Sequence, residues 1–514
     1  MKQCTVTNNT TGQKITVPEG TLLSDAALEL GIPLPTPCGG KGICGKCAVK
    51  AEGALTPPTK MEESAGLNTS GMRLACQAAV AGNITIFPED SGFSRTPALG
   101  PLDPKGQYGI AVDIGTTTME FAIVNLQTGE QHRGIQMLNP LRRWGDDVIS
   151  RIAAATGEFE HQVNLLRITI LSEIHEMCRE TGVPGENIRK IVCSGNTTMQ
   201  YFLAGIDVSS LGRHPYTAQV LDIPQITMDE GWNSRFPNTV IEALPVSSAF
   251  LGGDFMAGLA LSMDNGITRS AFFIDMGTNG EMFLLTPDGD IFATTCAMGP
   301  ALEGMNMSAG MTATDGAITH VTRDNSTLAF TVKGGGRGRG IAGTGYIDMV
   351  AHLLEEGLIK PDGAFSGIES VTLPSPLNSG TLNGIRSFFL EDGIPLTQVD
   401  VRNLQLARGA SFTAARLLLH EAGCDVSDIH TVILAGAFGE NININNFRKL
   451  SFLPDFSTAE WSFAGNTSLA GASRACLDAG FLERVSSLRE RITVVELTTH
   501  PQFNDMFMES LNFQ

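Results

Sequence analysis

The fold of this chain is decided by the stretch YGIAVDIGTTTMEFAIVNLQTG, which occupies residues 108–129. An apolar strand ends at Asp113, glycine and threonine residues form a turn, and a second apolar strand follows. The same order recurs in SAFFIDMGTNGEMFLLTPDG, residues 270–289, where Asp275 lies 162 residues after Asp113. Chance similarity between two hairpins is one explanation. We favour duplication, because each copy opens a region of alternating strands and helices, and this predicts a two-lobed α/β fold.

The two turns have the composition of a phosphate-binding site. Backbone N–H groups and threonine hydroxyls in a tight turn donate hydrogen bonds to phosphate oxygens. A carboxylate at the end of a strand can hold Mg²⁺, usually through water. We therefore assign catalytic roles to Asp113, Asp275 and Glu281. The predicted phosphate-binding residues are Gly115, Thr116, Thr117 and Thr118 in the first turn and Gly277, Thr278 and Asn279 in the second turn.

A third element follows a predicted helix at residues 404–421. The strand at residues 431–434 leads into AGAFGEN, where glycine allows the backbone to approach a flat ring closely. We expect Gly436, Phe438 and Gly439 to lie against such a ring.

A literal GxGxxG occurs at residues 338–343, ahead of a predicted helix. A dinucleotide site is disfavoured, because a β-hairpin precedes this loop and not the start of a βαβ unit. We expect Gly343, Thr344 and Gly345 to line the same nucleotide site. A loop without a binding role is the alternative.

Four cysteines near the N-terminus have the spacing of metal ligands. Cys38, Cys44 and Cys47 form a tight trio, and Cys76 follows after 28 further residues. Thiolates are soft ligands for iron and zinc. Structural zinc usually has two close pairs, whereas one trio with a distant fourth is close to the plant-type [2Fe–2S] pattern, with one extra residue in the first gap. We predict a [2Fe–2S] cluster; a zinc site and unrelated thiols are the alternatives.

Composition limits the classes of function. The chain has 514 residues, 42% of them hydrophobic, and a net charge of −19, which argues against a nucleic-acid-binding surface. No apolar run reaches the roughly 18 residues of a membrane span, and the N-terminus has no hydrophobic signal core, so we expect a cytoplasmic protein. The proline- and glycine-rich residues 91–107 predict a linker between two styles of sequence.

Two resemblances support this organisation. Residues 1–90 resemble the ferredoxin-like β-grasp domains through the cysteine set, DAALELGI and LACQ. The two hairpins and AGAFG resemble, in this order, the phosphate-1, phosphate-2 and adenosine motifs of the ASKHA superfamily, which contains actin, Hsp70 and sugar kinases. The resemblance implies ribonuclease-H-like lobes at residues 108–269 and 270–514, with ATP and Mg²⁺ in the cleft between them.

Nearly the whole chain resembles the reductive activators of corrinoid enzymes. The further motifs that carry this resemblance are GNTTM, GPALEGMNMSAGM, GTGYIDMVAHLLEEGLI, LQLARGA and LAGAFGENIN. It implies ATP-dependent reduction of Co(II) to Co(I) in a corrinoid protein of an anaerobic methyltransferase system, with the cluster as electron relay. It also implies a low-potential electron donor and a homodimer. The competing hypotheses are a redox-sensing small-molecule kinase of the ASKHA superfamily and a chaperone-like ATPase that exchanges cofactor.

Overall fold

The computed structural model describes residues 2–513 apart from residues 11, 31, 33, 35–46, 61, 63–70, 88–101, 104, 146, 157–161, 229, 268, 325–326, 367–372, 391–392 and 437–440. The chain divides into two compact units. The first unit contains Met1–Gly253 and Ala472–Ala479, and the second contains Asp254–Gly471 and Gly480–Gln514. Among the described helices, none has the length and apolar character needed to cross a membrane.

A five-stranded sheet and one helix form the N-terminal part of the first unit. The elements are β1 Gln3–Asn8, β2 Lys14–Pro18, α1 Leu23–Glu29, β3 Ala48–Leu55, β4 Met72–Leu74 and β5 Val80–Phe87. The strand order is β2-β1-β5-β3-β4, with β1 and β5 parallel. Cys4 and Val6 of β1 face a core that also contains Leu23 and Ala26 of α1. A mixed sheet packed on one helix confirms the β-grasp fold that the resemblance of residues 1–90 implies.

A buried ion pair holds the backbone that leads to Cys76. Glu62 is fully buried, and its carboxylate accepts hydrogen bonds from Arg73 Nε and from the Leu74 N–H, both at 2.9 Å. The Thr59 N–H donates to the second carboxylate oxygen at 2.8 Å. Burial alone would raise the pKa of Glu62, but these hydrogen bonds outweigh it and hold the pKa below its ordinary value.

A second five-stranded sheet completes the first unit. The strands are β6 Tyr108–Ile114, β7 Thr118–Asn125, β8 Gln131–Leu138, β9 Ile188–Gly195 and β10 Val240–Ala243. The helices are α2 Val148–Ala155, α3 Gln162–Glu180, α4 Thr197–Ala204 and α5 Glu230–Arg235. The strand order is β10-β9-β6-β7-β8. Ile110 and Val112 of β6 lie in one core with Leu166 and Ile170 of α3 and Phe202 of α4.

The main sheet of the second unit repeats this arrangement. The remaining strands are β11 Ala271–Met276, β12 Asn279–Leu285, β13 Ile291–Ala297, β14 Ala317–Asp324, β15 Thr327–Val332, β16 Gly340–Ile341, β17 Asn378–Leu382, β18 Ile385–Phe389, β19 Pro395–Thr397, β20 Thr431–Ala435, β21 Glu460–Gly465 and β22 Ile492–Val494. The remaining helices are α6 Gly253–Asp264, α7 Gly343–Glu355, α8 Gln398–Ala422, α9 Ile444–Lys449, α10 Thr467–Leu477, α11 Phe481–Leu488 and α12 Phe503–Glu509. The main sheet has the order β21-β20-β11-β12-β13-β22.

The two sheets confirm the predicted duplication. Each sheet begins with three consecutive antiparallel strands. The sheet's next strand along the chain pairs in parallel with the first of these three, and the strand after it pairs in parallel with that one. Asp113 lies opposite Glu120, and Asp275 lies opposite Glu281. The copies differ in the turn, because six residues separate the first acidic pair and five separate the second.

The long helix α8 begins six residues before its predicted start. Thr397 Oγ1 accepts a hydrogen bond from the Asp400 N–H at 3.2 Å, and the Asp400 carboxylate accepts one from the Thr397 N–H at 2.7 Å. This capping box satisfies two N–H groups that a helix start leaves without partners. The helix ends at Gly423, whose φ of 64° is in the left-handed region.

We expect the Glu62–Arg73 pair to contribute to the stability of the fold. Arg73→Met leaves the Glu62 carboxylate buried without its cation, and we expect a loss of about 3 kcal/mol or more in the free energy of unfolding. Scanning calorimetry of the full chain measures the change. Lys50→Met is the matched control, because Lys50 and Glu52 form an exposed pair at 3.3 Å, and we expect a loss below about 1 kcal/mol. Equal losses in the two variants would contradict the prediction.

The Glu62–Arg73 pair also makes the stability of the fold depend on pH. Because the folded-state pKa of Glu62 is lowered, its contribution to stability is present above the ordinary pKa of 4.5 and is lost as the pH falls through the folded-state value. The Glu62→Gln variant has no charge to lose. We therefore expect the Glu62→Gln variant to be less stable than the wild type, with the largest difference in free energy of unfolding at neutral pH and a smaller one in acid. Calorimetry across this pH range measures the difference.

Candidate cluster and nucleotide sites

Two cysteine thiols come together at the edge of the N-terminal sheet. Ala48 pairs with Leu74 across antiparallel β3 and β4, so Cys47 just before β3 lies beside Cys76 just after β4. Their Sγ atoms are 3.2 Å apart, both side chains are buried, and neither forms a disulfide. Gln77 Nε2 approaches Cys76 Sγ at 3.7 Å. Two reduced, converging thiols with an amide donor nearby fit an iron–sulfur cluster.

The other two predicted cluster ligands are Cys38 and Cys44. Both lie outside the described residues, so their assignment to the cluster stays a prediction.

The first turn brings Asp113 and residues 115–118 together at one end of β6. Asp113 lies between Glu120 of β7 and Ser194 of β9. A Cβ on Gly115 would be 2.7 Å from the Thr118 carbonyl oxygen, so only glycine fits this tight turn. Asn196, which belongs to the GNTTM motif, donates through Nδ2 to Thr116 Oγ1 at 3.0 Å.

The second turn collects a different set of neighbours. Asp275 lies between Glu281 of β12 and Ala435 of β20. Thr278 Oγ1 donates to Glu303 Oε1 at 2.6 Å, and Thr467 Oγ1 approaches Asp275 Oδ2 at 3.4 Å. Glu303 and Thr467 were not predicted. The turn itself is closed by a hydrogen bond of 2.9 Å from the Gly277 N–H to the Asn279 carbonyl oxygen.

Three carboxyl groups of the second unit influence one another here. Burial raises the pKa of Glu281 well above its ordinary value, and the charges of Asp254 and Asp275 raise it further. Burial also raises the pKa of Asp254 to about 6. With a pKa of about 6, Asp254 is mostly ionised at neutral pH, whereas burial and the neighbouring charges disfavour the ionised form of Glu281. A base works best when its pKa is near the working pH, so Asp254 is better suited than Glu281 to accept a proton from water.

The nucleoside end of the predicted site is described only at Gly436. Its φ is 90°, and a Cβ would lie 2.7 Å from Asp275 Oδ1. Glycine is therefore required where β20 passes the end of β11. Phe438 and Gly439 lie outside the described residues, and their role stays a prediction.

The loop at residues 343–345 forms the first turn of α7. Thr344 Oγ1 donates to the Thr319 carbonyl oxygen at 2.6 Å, and a Cβ on Gly345 would lie 2.4 Å from the Ile318 carbonyl oxygen. These contacts give the loop a packing role against β14. The predicted role of Gly343, Thr344 and Gly345 in lining the nucleotide site stays a prediction.

A sequence signal for Thr467 was available. Residues 465–468, GNTS, repeat residues 195–198, GNTT. In both segments a glycine ends a strand and an asparagine caps the following helix, with Asn196 Oδ1 and Asn466 Oδ1 each accepting from the N–H three residues ahead. Asn196 contacts the first turn and Thr467 contacts Asp275, so the repeat marks residues beside both aspartates.

Comparison with known families divides the chain into three matches. Residues 6–81 match the 2Fe-2S iron-sulfur cluster binding domain. Residues 108–265 match the RACo middle region, and residues 269–514 match the C-terminal domain of RACo, described as the ASKHA domain.

Similar proteins extend over most of the chain. A protein of Eubacterium limosum named "Corrinoid activation enzyme RamQ" is 27% identical over 582 aligned positions, which cover 98% of each chain. The "[Co(II) methylated amine-specific corrinoid protein] reductase" of Methanosarcina barkeri is 28% identical over 79% of this chain and 77% of its own length. A solved structure of a "Reductive activator for corrinoid,iron-sulfur protein" has a TM-score of 0.71 and 25% identity, covering 99% of this chain and 98% of that one.

Asp254 provides a test that separates stability from activity. Its folded-state pKa is about 6 against an ordinary value of 3.8, so the folded state binds more protons than the unfolded state between these values. Stability therefore falls as the pH rises through this window. We expect Asp254→Asn to stabilise the chain by up to about 3 kcal/mol at pH 8, to leave it unchanged at pH 4, and to slow ATP hydrolysis at least about a hundredfold.

The measurements are thermal unfolding at both pH values and phosphate release. Asp264→Asn is the matched control, because Asp264 lies on the same helix and pairs with Arg484 at 3.4 Å near the surface. We expect this control to change stability by less than about 1 kcal/mol and to retain hydrolysis. A loss of stability at pH 8 in Asp254→Asn, or full hydrolysis, would count against the role of Asp254.

Proposed function

We infer the function of this chain from one premise: it belongs to the family of reductive activators of corrinoid proteins. The reaction is the ATP-dependent reduction of an inactive Co(II) corrinoid in a partner protein to Co(I). The observation that carries this conclusion is the presence, in one chain, of the paired thiols Cys47 and Cys76 and of two phosphate-type turns beside Asp113 and Asp275. An electron carrier alone needs no ATP, and a kinase alone needs no cluster.

The N-terminal domain serves electron transfer. Cys38, Cys44, Cys47 and Cys76 would hold a [2Fe–2S] cluster, which carries one electron at a time when bound. One electron from a low-potential donor converts Co(II) into Co(I), and no atom is transferred. The Gln77 amide stabilises negative charge on Cys76 Sγ, and the Glu62–Arg73 pair fixes the backbone that positions Cys76. Hydrogen bonds to cluster sulfurs raise the reduction potential.

The two turns serve nucleotide binding. In the first unit, the N–H groups and hydroxyls of residues 115–118 are suited to donate to phosphate oxygens, and the Asp113 carboxylate is suited to hold Mg²⁺ through water. In the second unit, residues 277–279 and Asp275 have the same chemistry, and Gly436 leaves room for the nucleoside beside Asp275. A water molecule attacks the terminal phosphorus, the bond from that phosphorus to the bridging oxygen of ADP breaks, and the Asp254 carboxylate accepts the water proton. Glu281 lies opposite Asp275 across the hairpin, and burial disfavours its ionised form.

ATP is needed because reduction to Co(I) is uphill from the donors that a cell supplies. ATP binding favours the complex in which the electron is transferred, and hydrolysis releases that complex. We place this activity in a corrinoid methyltransferase system of the cytoplasm and assign a homodimer. The domains that we assign are residues 1–90 for the cluster, 91–107 for the linker, and 108–269 and 270–514 for the lobes.

The test is anaerobic reduction of the corrinoid protein that the tagged chain retains in a pull-down from its native cells. Co(I) is followed by its absorbance, with titanium(III) citrate as reductant. We expect the wild type to form Co(I) only with ATP. Cys47→Ala and Asp275→Asn should each slow Co(I) formation at least about a hundredfold. The first variant loses a cluster ligand, and the second loses a carboxylate of the nucleotide site.

The control is Cys424→Ser, a half-buried thiol outside the ligand set, which should retain full activity. Undiminished Co(I) formation by Cys47→Ala would contradict the proposal. So would a phosphorylated small molecule that accumulates in the absence of any corrinoid protein, because that product is expected of the competing kinase.

A further inference from the structure

Two buried polar side chains lie behind the first turn. Asn139 follows β8 and is 1% exposed, and Arg151 of α2 is 0% exposed. Neither belongs to the predicted site, and both come from the segment NPLRRWGDDVISR, residues 139–151.

Their contacts occupy three consecutive carbonyl groups of the turn. Asn139 Nδ2 donates to the Gly115 carbonyl oxygen at 2.6 Å, and the Asn139 N–H donates to that of Thr117 at 2.9 Å. Arg151 Nη2 donates to the carbonyl oxygen between them, that of Thr116, at 2.6 Å. All three donors belong to side chains or backbone that are themselves buried, so the turn is fixed from one side.

These contacts also determine the direction of the N–H groups in the turn, because the peptide group is planar and trans. The carbonyl of one residue and the N–H of the next share a plane and point in opposite directions. Holding the carbonyls of residues 115–117 toward Asn139 and Arg151 therefore directs the N–H groups of residues 116–118 away from them. Successive N–H groups that point to one side form a concave anion-binding site.

A packing role alone does not account for Arg151. Burying a guanidinium costs several kcal/mol, and an apolar side chain of similar volume often does as well. The Nε of Arg151 donates to the Gly145 carbonyl oxygen at 2.8 Å, and Nη1 lies 3.3 Å from Met199 Sδ. This places a permanent positive charge directly behind a turn assigned to phosphate, where it attracts an anion on the other side.

We propose that Asn139 and Arg151 are positioning residues of the nucleotide site. They hold the first turn in the conformation that presents its N–H groups to the phosphates of ATP, and the charge of Arg151 adds to the attraction. The inference rests on the proposed use of ATP. It adds to that function a pair of residues that set how strongly the polyphosphate is bound.

The experiment compares ATP and AMP binding by titration calorimetry on the full chain. Arg151→Met removes the charge and the hydrogen bonds to the Thr116 and Gly145 carbonyl oxygens. Asn139→Asp removes the donor to Gly115 but retains an oxygen that can accept from the Leu141 N–H, a bond of 2.8 Å in the structure. We expect each variant to lose about tenfold or more in ATP affinity and little in AMP affinity. Arg151→Lys, which retains the charge, should recover part of the loss.

Arg408→Met is the matched control for a buried arginine. Arg408 is 0% exposed, its Nε donates to the Leu450 carbonyl oxygen at 2.9 Å, and its Nη1 donates to that of Ser510. This variant should lose thermal stability as Arg151→Met does, yet keep the wild-type ratio of ATP to AMP affinity. Stability loss alone therefore cannot imitate the expected result.

The outcomes distinguish this inference from the function on which it rests. An unchanged ATP-to-AMP ratio in Arg151→Met and Asn139→Asp, with the wild type binding ATP, would overturn the positioning role and leave the proposed function standing. Absence of ATP binding by the wild type would overturn both. If Arg151→Met fails to fold, the ratio in Asn139→Asp and in Arg151→Lys decides.

Discussion

In each unit, the limited space at the end of one central strand determines which residues the neighbouring backbone can have. Asp275 has an antiparallel partner, Glu281, on one side and the parallel strand β20 on the other. The backbone that leaves β20 must pass within contact distance of the Asp275 carboxylate, so glycine is required at Gly436. Gly195 meets the same demand beside β6, where a Cβ would lie 2.5 Å from the Ile114 carbonyl oxygen. Local geometry thus explains why an aspartate, a turn and a distant glycine occur together twice.

The duplicated turns are supported by opposite electrostatics. Arg151 and Asn139 lie behind the first turn and supply a cation and amide donors. The second turn is surrounded by carboxyl groups, with Thr278 donating to Glu303 and with Asp254 raising the pKa of Glu281. The surroundings of the first turn therefore favour an anion, and those of the second turn favour a cation. The two copies share a backbone arrangement but differ in the charged residues around the turn.

Sequence reasoning reached the parts of this site whose residues are close in the chain. Each hairpin carries its aspartate, glycine and threonines within a few positions, and the cysteines are readable by spacing. Arg151 was missed, because it contacts the first turn from another element and its importance depends on burial, which spacing does not encode. The start of α8 was missed for a different reason. The Thr397–Asp400 capping box is a local signal, and it outweighs the polar residues that obscured the first helical turn.

The two functional domains treat buried charge differently, and this difference follows from what each must do. In the cluster domain Glu62 is matched by Arg73 and by backbone donors, so the pair fixes Cys76 without adding net charge beside a redox centre. In the second unit, burial and the negative charges of Asp254 and Asp275 disfavour ionisation of Glu281, so negative charges repel one another there. Any cation that arrives with the nucleotide relieves that repulsion, and a ligand that binds only the folded state stabilises it. A cation bound at these acids would therefore stabilise the second unit.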